Sequence, residues 1–233
     1  MLTKKYFIAF IITTTIAGLI APANAVDTPT EDQSFTYHIA RKGDRIGKHK
    51  VTYDHARRGK IDISIDVRIR VKFAFITAYR MDHEGHEVWS NDQLLRMTTQ
   101  TSRNKEREVV EVRAADGHYI VRTEDGEKAA PLDLVPSSFT KTDFWIDDGS
   151  KSFMLLDTLT GKMRPSRLES GDMQTLTLDG QAYDVRYYRI LNLKTETLSH
   201  EFWIDSEGYL IKAHLLTKDG ESLHYSLASA ADA

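Results

Sequence analysis

Residues 61–75 read IDISIDVRIRVKFAF, and every odd position is apolar: Ile61, Ile63, Ile65, Val67, Ile69, Val71, Phe73 and Phe75. The even positions from 62 to 72 are Asp, Ser, Asp, Arg, Arg and Lys. Successive side chains on a β-strand point to opposite faces, so this period-two pattern puts all the branched and aromatic side chains on one face. A helix would scatter them around its axis. At roughly 3.3 Å per residue the strand approaches about 50 Å, far longer than the usual strand of about 5–6 residues. Long amphipathic antiparallel strands twist and curl, and the structure that accommodates them is a full or partial barrel.

The rest of the chain repeats the theme at shorter length. Strand-like runs fall at 35–41, 47–56, 79–88, 94–101, 107–113, 119–123, 175–178, 182–191, 197–204, 209–217 and 222–227. Between them stand turn pairs such as Arg58-Gly59, Asp116-Gly117, Asp125-Gly126, Asp179-Gly180 and Asp219-Gly220, and Asp-Gly takes readily to the positive φ of tight hairpins. Many short strands at this spacing predict an all-β antiparallel meander forming one domain over 33–228. Only the stretch 136–160 departs from it. One or two short helices are expected near 137–160, with Ser138 capping the first and Gly161 ending the second. The tail at 229–233 reads as disordered.

The string FWID occurs twice, at 144–147 and 202–205. The second copy ends a strand and enters an Asp-x-x-Gly turn, ordinary hairpin construction. The first lies in the helix-like stretch, and its flanks share nothing with the second. The repeat therefore reads as the same turn chemistry used twice.

The first 25 residues carry Lys4 and Lys5, an uncharged apolar run over 6–20, and Ala23-Asn24-Ala25. The run is short of the about 20 apolar residues that span a bilayer, and Ala-x-Ala marks cleavage rather than anchoring. The expectation is a signal peptide cut after Ala25, and, in a Gram-negative cell, a periplasmic protein that does not span the membrane after cleavage. The chain has no cysteine, so neither a lipid-carrying cysteine nor a disulfide is available, and the fold must rest on its core. Cleavage leaves 208 of 233 residues, enough for one domain with a sizeable core. Loss of Lys4 and Lys5 moves the net charge from −3 to −5. An acidic chain without a basic block argues against nucleic acid and anionic lipid surfaces as partners.

Catalytic and metal-binding signatures are sparse. His83 and His86 stand in DHEGHE, in the order His-Glu-Gly-His rather than the His-Glu-x-x-His that sets two ligands on one helical turn. Gly85 reads as a turn between two strands, and ligands on a strand need even spacing to share a face. The carboxylate pairs Asp147/Asp148 and Asp205/Glu207 fall in turns, where Asp caps backbone groups. Ser137-Ser138 lacks the Gly-x-Ser-x-Gly elbow of common hydrolases, and no glycine-rich phosphate loop is present. No catalytic residue, metal ligand or cofactor is therefore assigned.

Four blocks, FTYHIARKGDRIGKHKVTY, EVWSNDQLLRMTTQTSRN, VPSSFTKTDFW with FMLLDTLTGKM, and FWIDSEGYLIKAHLLTKDGESLHYSL, resemble a bacterial exported family known only as a domain of unknown function. Its members are similar to the open, curved antiparallel barrels of periplasmic lipoprotein carriers. The resemblance implies a barrel and a cavity for something apolar, and implies no activity. One departure is Ser90-Asn91-Asp92 after Trp89, where a glycine is expected, which predicts a longer hairpin loop there.

In 73–79 (FAFITAY) the even positions also turn apolar, which predicts cover on both faces. This places Phe144 and Trp145 over a cavity, facing residues among Phe73, Phe75, Ile76 and Tyr79. Aromatic rings suit a dry core and an apolar ligand alike, and ordinary core packing accounts for the same residues. The functional expectation is a non-catalytic exported binding or accessory protein for an apolar small molecule or lipid. The alternatives are a periplasmic hydrolase with its site in the barrel mouth and a structural protein that meets an envelope partner.

Overall fold

The computed structural model describes residues 32–56, 59–73, 76–104, 106–145, 148–216 and 222–229. The expected signal peptide, and residues 230–233 of the expected disordered tail, lie outside the described residues. Fifteen strands form one sheet: β1 (Gln33–Arg41), β2 (Asp44–Ala56), β3 (Lys60–Phe73), β4 (Ile76–Ser90), β5 (Gln93–Arg103), β6 (Glu106–Ala115), β7 (His118–Thr123), β8 (Gly126–Ala130), β9 (Leu134–Pro136), β10 (Ser150–Leu156), β11 (Met163–Leu178), β12 (Gln181–Asn192), β13 (Thr197–Ile204), β14 (Leu210–Leu216) and β15 (Ser222–Leu227).

The order across the sheet runs from β8 down to β1, then from β15 down to β9. Each half is an antiparallel meander except at its β9 edge, where β9 pairs parallel to β10, and the halves are joined by antiparallel β1 and β15, with Tyr37 opposite Leu227 and Arg41 opposite Leu223. The two edge strands, β8 and β9, are consecutive in the chain, separated only by residues 131–133. Four Cα steps reach at most about 14 Å. Fifteen strands laid flat at about 4.8 Å spacing would set the edges about 67 Å apart. The sheet must therefore roll until its edges meet, and it forms a nearly closed barrel.

Strand β3 keeps the parity that its sequence dictates. Ile63, Ile65, Val67 and Ile69 are buried, whereas Ser64 and Arg68 are exposed. These side chains join one core with Tyr37, Ile39, Val51, Tyr53, Met81, Trp89 and Leu94 on one half of the sheet, and Leu168, Ile190, Phe202 and Ala213 on the other. A smaller cluster, Val185, Trp203 and Ile211, forms separately, with Leu176, Leu178, Tyr183 and Tyr187 packed on it. Trp203 follows buried Phe202 on β13 and so faces outward, with Lys212 Nζ 4.7 Å from its ring centre.

Five expectations are corrected. Instead of short helices over 137–160, the described residues hold a single 3-10 turn, Thr142–Phe144, followed by β10. The apolar run FMLL is a strand paired with β9 on one side and β11 on the other, with Phe153, Leu155 and Leu156 buried, rather than one face of a helix. Ser138 caps no helix, because its hydroxyl is drawn to Glu87. Gly161 ends a single turn closed by its amide on the Asp157 carbonyl at 2.8 Å. Gly85 is no turn: it sits inside β4 between Ile65 and Thr99, where its missing side chain leaves room for their methyl groups. Finally, the hairpin after Trp89 is a tight two-residue turn, since Ser90 pairs with Gln93 and both Asn91 and Asp92 adopt positive φ. Asn and Asp tolerate that region best after glycine. Strands β8, β9, β10 and most of β11 lie outside the expected runs. Pro165, Gly171 and a register shift between Ser170 and Met173 conceal the last of these.

The two FWID copies meet in space. Trp145 lies 5.1 Å, ring to ring, from Phe202, and the Asp205 turn presses on the 3-10 turn. A Cβ on Gly208 would fall 2.2 Å from the Thr142 carbonyl oxygen, and φ there is +87°. By contrast, Gly180, at φ +83°, has open space around the same position. Gly208→Ala should cost about 3 kcal/mol or more, backbone strain and overpacking together, against about 1 kcal/mol for Gly180→Ala. Urea unfolding of the two variants checks the difference.

Candidate functional site

The segment between β9 and β10 enters the barrel because a carboxylate inside calls it in. Glu87 shares the inward parity of Met81, His83, Gly85 and Trp89 on β4 and is fully buried. An unpaired carboxylate there would be prohibitively costly. Three donors satisfy it: Trp89 Nε1–H to Oε2 at 2.8 Å, Thr140 Oγ–H to Oε2 at 2.7 Å, and Ser138 Oγ–H to Oε1 at 2.5 Å. The Tyr53 hydroxyl adds a bond to the Thr140 carbonyl at 3.0 Å.

Between the two anchors, Phe139 takes a positive φ of 49°, unfavourable for a bulky residue. In that conformation its ring reaches Phe144, Trp145, His200 and Phe202, at centroid distances of 4.8–6.3 Å. A second internal segment, 157–161, is held by Thr99 Oγ–H to the Thr158 carbonyl at 2.6 Å and by the Thr158 amide to Ser137 Oγ at 3.0 Å.

These two segments leave a cavity of about 130 Å³ against the inner face of the sheet. Its wall takes Ile65 and Val67 from β3, Met81 and His83 from β4, His49 from β2, Phe202 from β13, Ala213 and Leu215 from β14, and Tyr225 from β15. Ser137, Ser138, Phe139, Trp145, Thr158 and Leu159 line it from the two internal segments. None of the lining residues is Asp, Glu, Lys or Arg. The imidazoles are neutral near pH 7. Burial pushes His49 down to about 3. Burial also lowers His83 to about 4, against the opposing charge of Asp157, and Arg103 lowers it further. His200, stacked on Phe202, is pushed to about 3 by burial, with Arg164 adding to it. Burial likewise raises the Tyr225 phenol well above its ordinary range.

Of the aromatic residues expected around a cavity, Trp145 stands in the wall and Phe144 is buried beside it, in ring contact with Phe153. Tyr79 packs against the main core on β4, two residues beyond Met81. The backbones of Phe73 and Ile76 pair at the β3–β4 hairpin, and Phe75 lies outside the described residues. The wall draws on this strand pair at 65, 67, 81 and 83 and not at the hairpin. Glu87, His49, Phe139, Ala213 and Tyr225 also build the site, without a motif in the sequence to mark them. The available signal was an acid at an inward position two residues before a tryptophan. His83 and His86 face opposite ways: His83 is buried and bonded to Thr101 at 2.8 Å, whereas His86 is exposed beside Asp62 at 3.4 Å.

A nearly closed barrel, antiparallel but for the β9–β10 pair, with a partly filled lumen is the class that this geometry defines. The chain belongs to the family described as a domain of unknown function, DUF6134, which it matches over residues 37–228. The fold is similar to that of a β-barrel-like protein of domain of unknown function DUF1849 from Brucella abortus, with a TM-score of 0.61 at 11% identity, over 84% of this chain and 95% of that one. A DUF1089 family protein from Pseudomonas aeruginosa aligns more loosely, with a TM-score of 0.41 at 16% identity, over 85% of this chain and 94% of that one. No curated protein sequence matches.

Two outcomes follow for the site. Glu87→Ala leaves two buried donors, Trp89 and Thr140, and the half-buried Ser138 hydroxyl without their acceptor and should cost about 3–5 kcal/mol, whereas Glu87→Gln, which keeps one carbonyl oxygen, should cost less. Limited proteolysis should cut the Glu87→Ala protein within 137–147 first. The histidines set a pH dependence. Unfolded imidazoles take up protons below about 6.5, whereas the buried ones resist until about 3–4, so stability falls as the pH drops through that window. The loss at pH 5 is up to about 2 kcal/mol per histidine. Urea midpoints at pH 7 and pH 5 measure it, and His49→Leu should remove about a third of the difference.

Proposed function

We propose that this is an exported, non-catalytic binding protein that holds a small apolar molecule inside its barrel. The observation that carries this reading is the lumen cavity, walled largely by apolar side chains and by imidazoles kept neutral. Its size sets the ligand class. About 130 Å³ is close to the engineered apolar cavity of about 150 Å³ that takes benzene. It is well below the about 300–1,000 Å³ of sites for drug-sized ligands. A ring-sized molecule, or the tip of a longer chain, fits; a whole lipid requires the 137–145 segment to move. Export to the periplasm is supported by the leader at 1–25.

One observation favours a second reading. Ser138 lines the cavity, and its hydroxyl lies 2.5 Å from the Glu87 carboxylate, within the reach a nucleophile needs of its base. However, both Glu87 oxygens are already engaged in anchoring the loop, and His83 Nδ1 is bonded to Thr101 rather than to Ser138. Ester hydrolysis by the wild type that Ser138→Ala abolishes would favour the hydrolase.

The binding reading is tested by thermal unfolding of the purified protein in saturating toluene. Toluene should raise Tm by selective binding to the folded state. Ala213→Leu, which fills the cavity from β14, should abolish that shift. If saturating toluene leaves Tm and the NMR spectrum of the wild type unchanged, the cavity is not a binding site.

A further inference from the structure

At one rim of the barrel a cleft opens between two hairpins. Strands β2 and β3 are hydrogen-bonded only as far as the Gly47–Ile69 pair, although β2 begins at Asp44 and β3 runs on to Phe73. A register shift in β1–β2 between Ile39 and Ala40 leaves Ile46 as an extra residue, and such a bulge bends its strand aside. Glycine is required at the fork, because a Cβ on Gly47 would collide with the Arg68 carbonyl. The cleft between the parted ends measures about 620 Å³. Arg45 and Lys48 line it from β2, and Arg68, Arg70 and Lys72 from β3, against a single carboxylate, Asp44. Ile46 and Val71, half-buried on the main core, complete the lining with Gly47.

The fold gains nothing from this gathering of cations. Lys48 stands directly opposite Arg68, and Arg70 opposite Arg80, and like charges opposed across strands destabilise a sheet. Nearby carboxylates offset this in part. Arg68 pairs with Asp66 at 2.9 Å, and Arg70 and Arg80 share Asp82 at 2.5 and 2.8 Å. These two acids and Glu84 line a neighbouring hollow rather than the cleft. Arg45 and Lys72 are exposed and form no ion pair among the described residues. The chain as a whole is acidic, but that average conceals cations that two separate segments bring to one place.

We propose that this cleft binds a phosphate-bearing ligand. A phosphate group carries up to about two negative charges and several acceptor oxygens, which suits convergent cations better than a single carboxylate does. Guanidinium forks also match its geometry. Arg45 and Lys72 supply charge not engaged by a carboxylate, and the Arg68–Asp66 pair, exposed and therefore weak, yields Arg68 to a better partner. A lipid headgroup and a soluble phosphate ester present the same chemistry here. The cleft shares no lining residue with the lumen cavity, so this proposal stands apart from the binding reading above.

The test compares the wild type with two double variants. Arg45→Gln/Lys72→Gln alters the cleft, and Arg122→Gln/Lys128→Gln removes the same charge from exposed positions on β7 and β8. Sedimentation with vesicles of equimolar phosphatidylglycerol and phosphatidylcholine, against pure phosphatidylcholine, probes a lipid headgroup. NMR titration with inorganic pyrophosphate probes a soluble ligand. At least one probe should bind the wild type. The cleft variant should bind it about 25-fold more weakly, at about fivefold for each cation removed, and the β7–β8 variant should match the wild type. All four positions are exposed, so neither double variant should disturb the fold. The three proteins share every other segment, so the comparison isolates the cleft. Binding to the phosphatidylglycerol vesicles assigns a lipid headgroup, and binding to pyrophosphate alone assigns a soluble ligand. Binding of neither probe, or an equal loss in both double variants, overturns the proposal.

Discussion

The three residues that join β8 to β9 govern the rest of the molecule. They tether the two edges of a fifteen-stranded sheet, and β1 and β15 join its two meanders at the middle. No flat or gently twisted arrangement satisfies both conditions. The right-handed twist of antiparallel strands supplies curvature without extra cost, and the register shifts in β3–β4, β4–β5, β11–β12, β12–β13 and β13–β14 bend the sheet further. Rolling the sheet gives an interior far wider than the inward side chains of a small barrel can fill. Something else must enter it.

What enters is the chain that follows the tether. Segment 137–145 runs into the lumen, and its path is fixed less by apolar burial than by one carboxylate. Glu87 would be untenable in this core without donors, and Ser138, Thr140 and Trp89 provide them. The arrangement is mutual, since the loop hydroxyls would be equally unsatisfied without Glu87. Once 138 and 140 are fixed, Phe139 is forced into a left-handed backbone conformation, which is repaid by its contacts with four aromatic rings. Those rings orient Trp145, and the space beneath them is the cavity.

The chemistry of the lumen follows from burial. Imidazoles lose their protons, phenols keep theirs, and most hydroxyls are engaged in holding one segment to another. The cavity wall itself is largely apolar and carries no Asp, Glu, Lys or Arg. The outer face is different in kind, with ion pairs such as Arg70–Asp82 and Arg189–Glu169, which contribute little individually at such exposure.

The sequence by itself determined the strand character of most of the sheet. The fifteen-residue alternation at 61–75 admits no helix, and in β3 the inward face is the one the odd positions prescribe. Asp116-Gly117 and Asp179-Gly180 marked two of the hairpins, because positive φ, taken by Gly117 and by both Asp179 and Gly180, is a local requirement that few residues meet. Strands β8 to β10 and most of β11 were not legible: their residues are short runs, or contain Pro and Gly, and they become strands only because neighbouring strands supply hydrogen-bond partners. The candidate site divides in the same way. The aromatic pair at 144–145 is visible in sequence as a break in the strand pattern. That Glu87 holds a loop some fifty residues away was decided by tertiary structure alone. Parity tells which face a side chain takes, but only closure of the sheet decides which side chains from distant strands share the lumen.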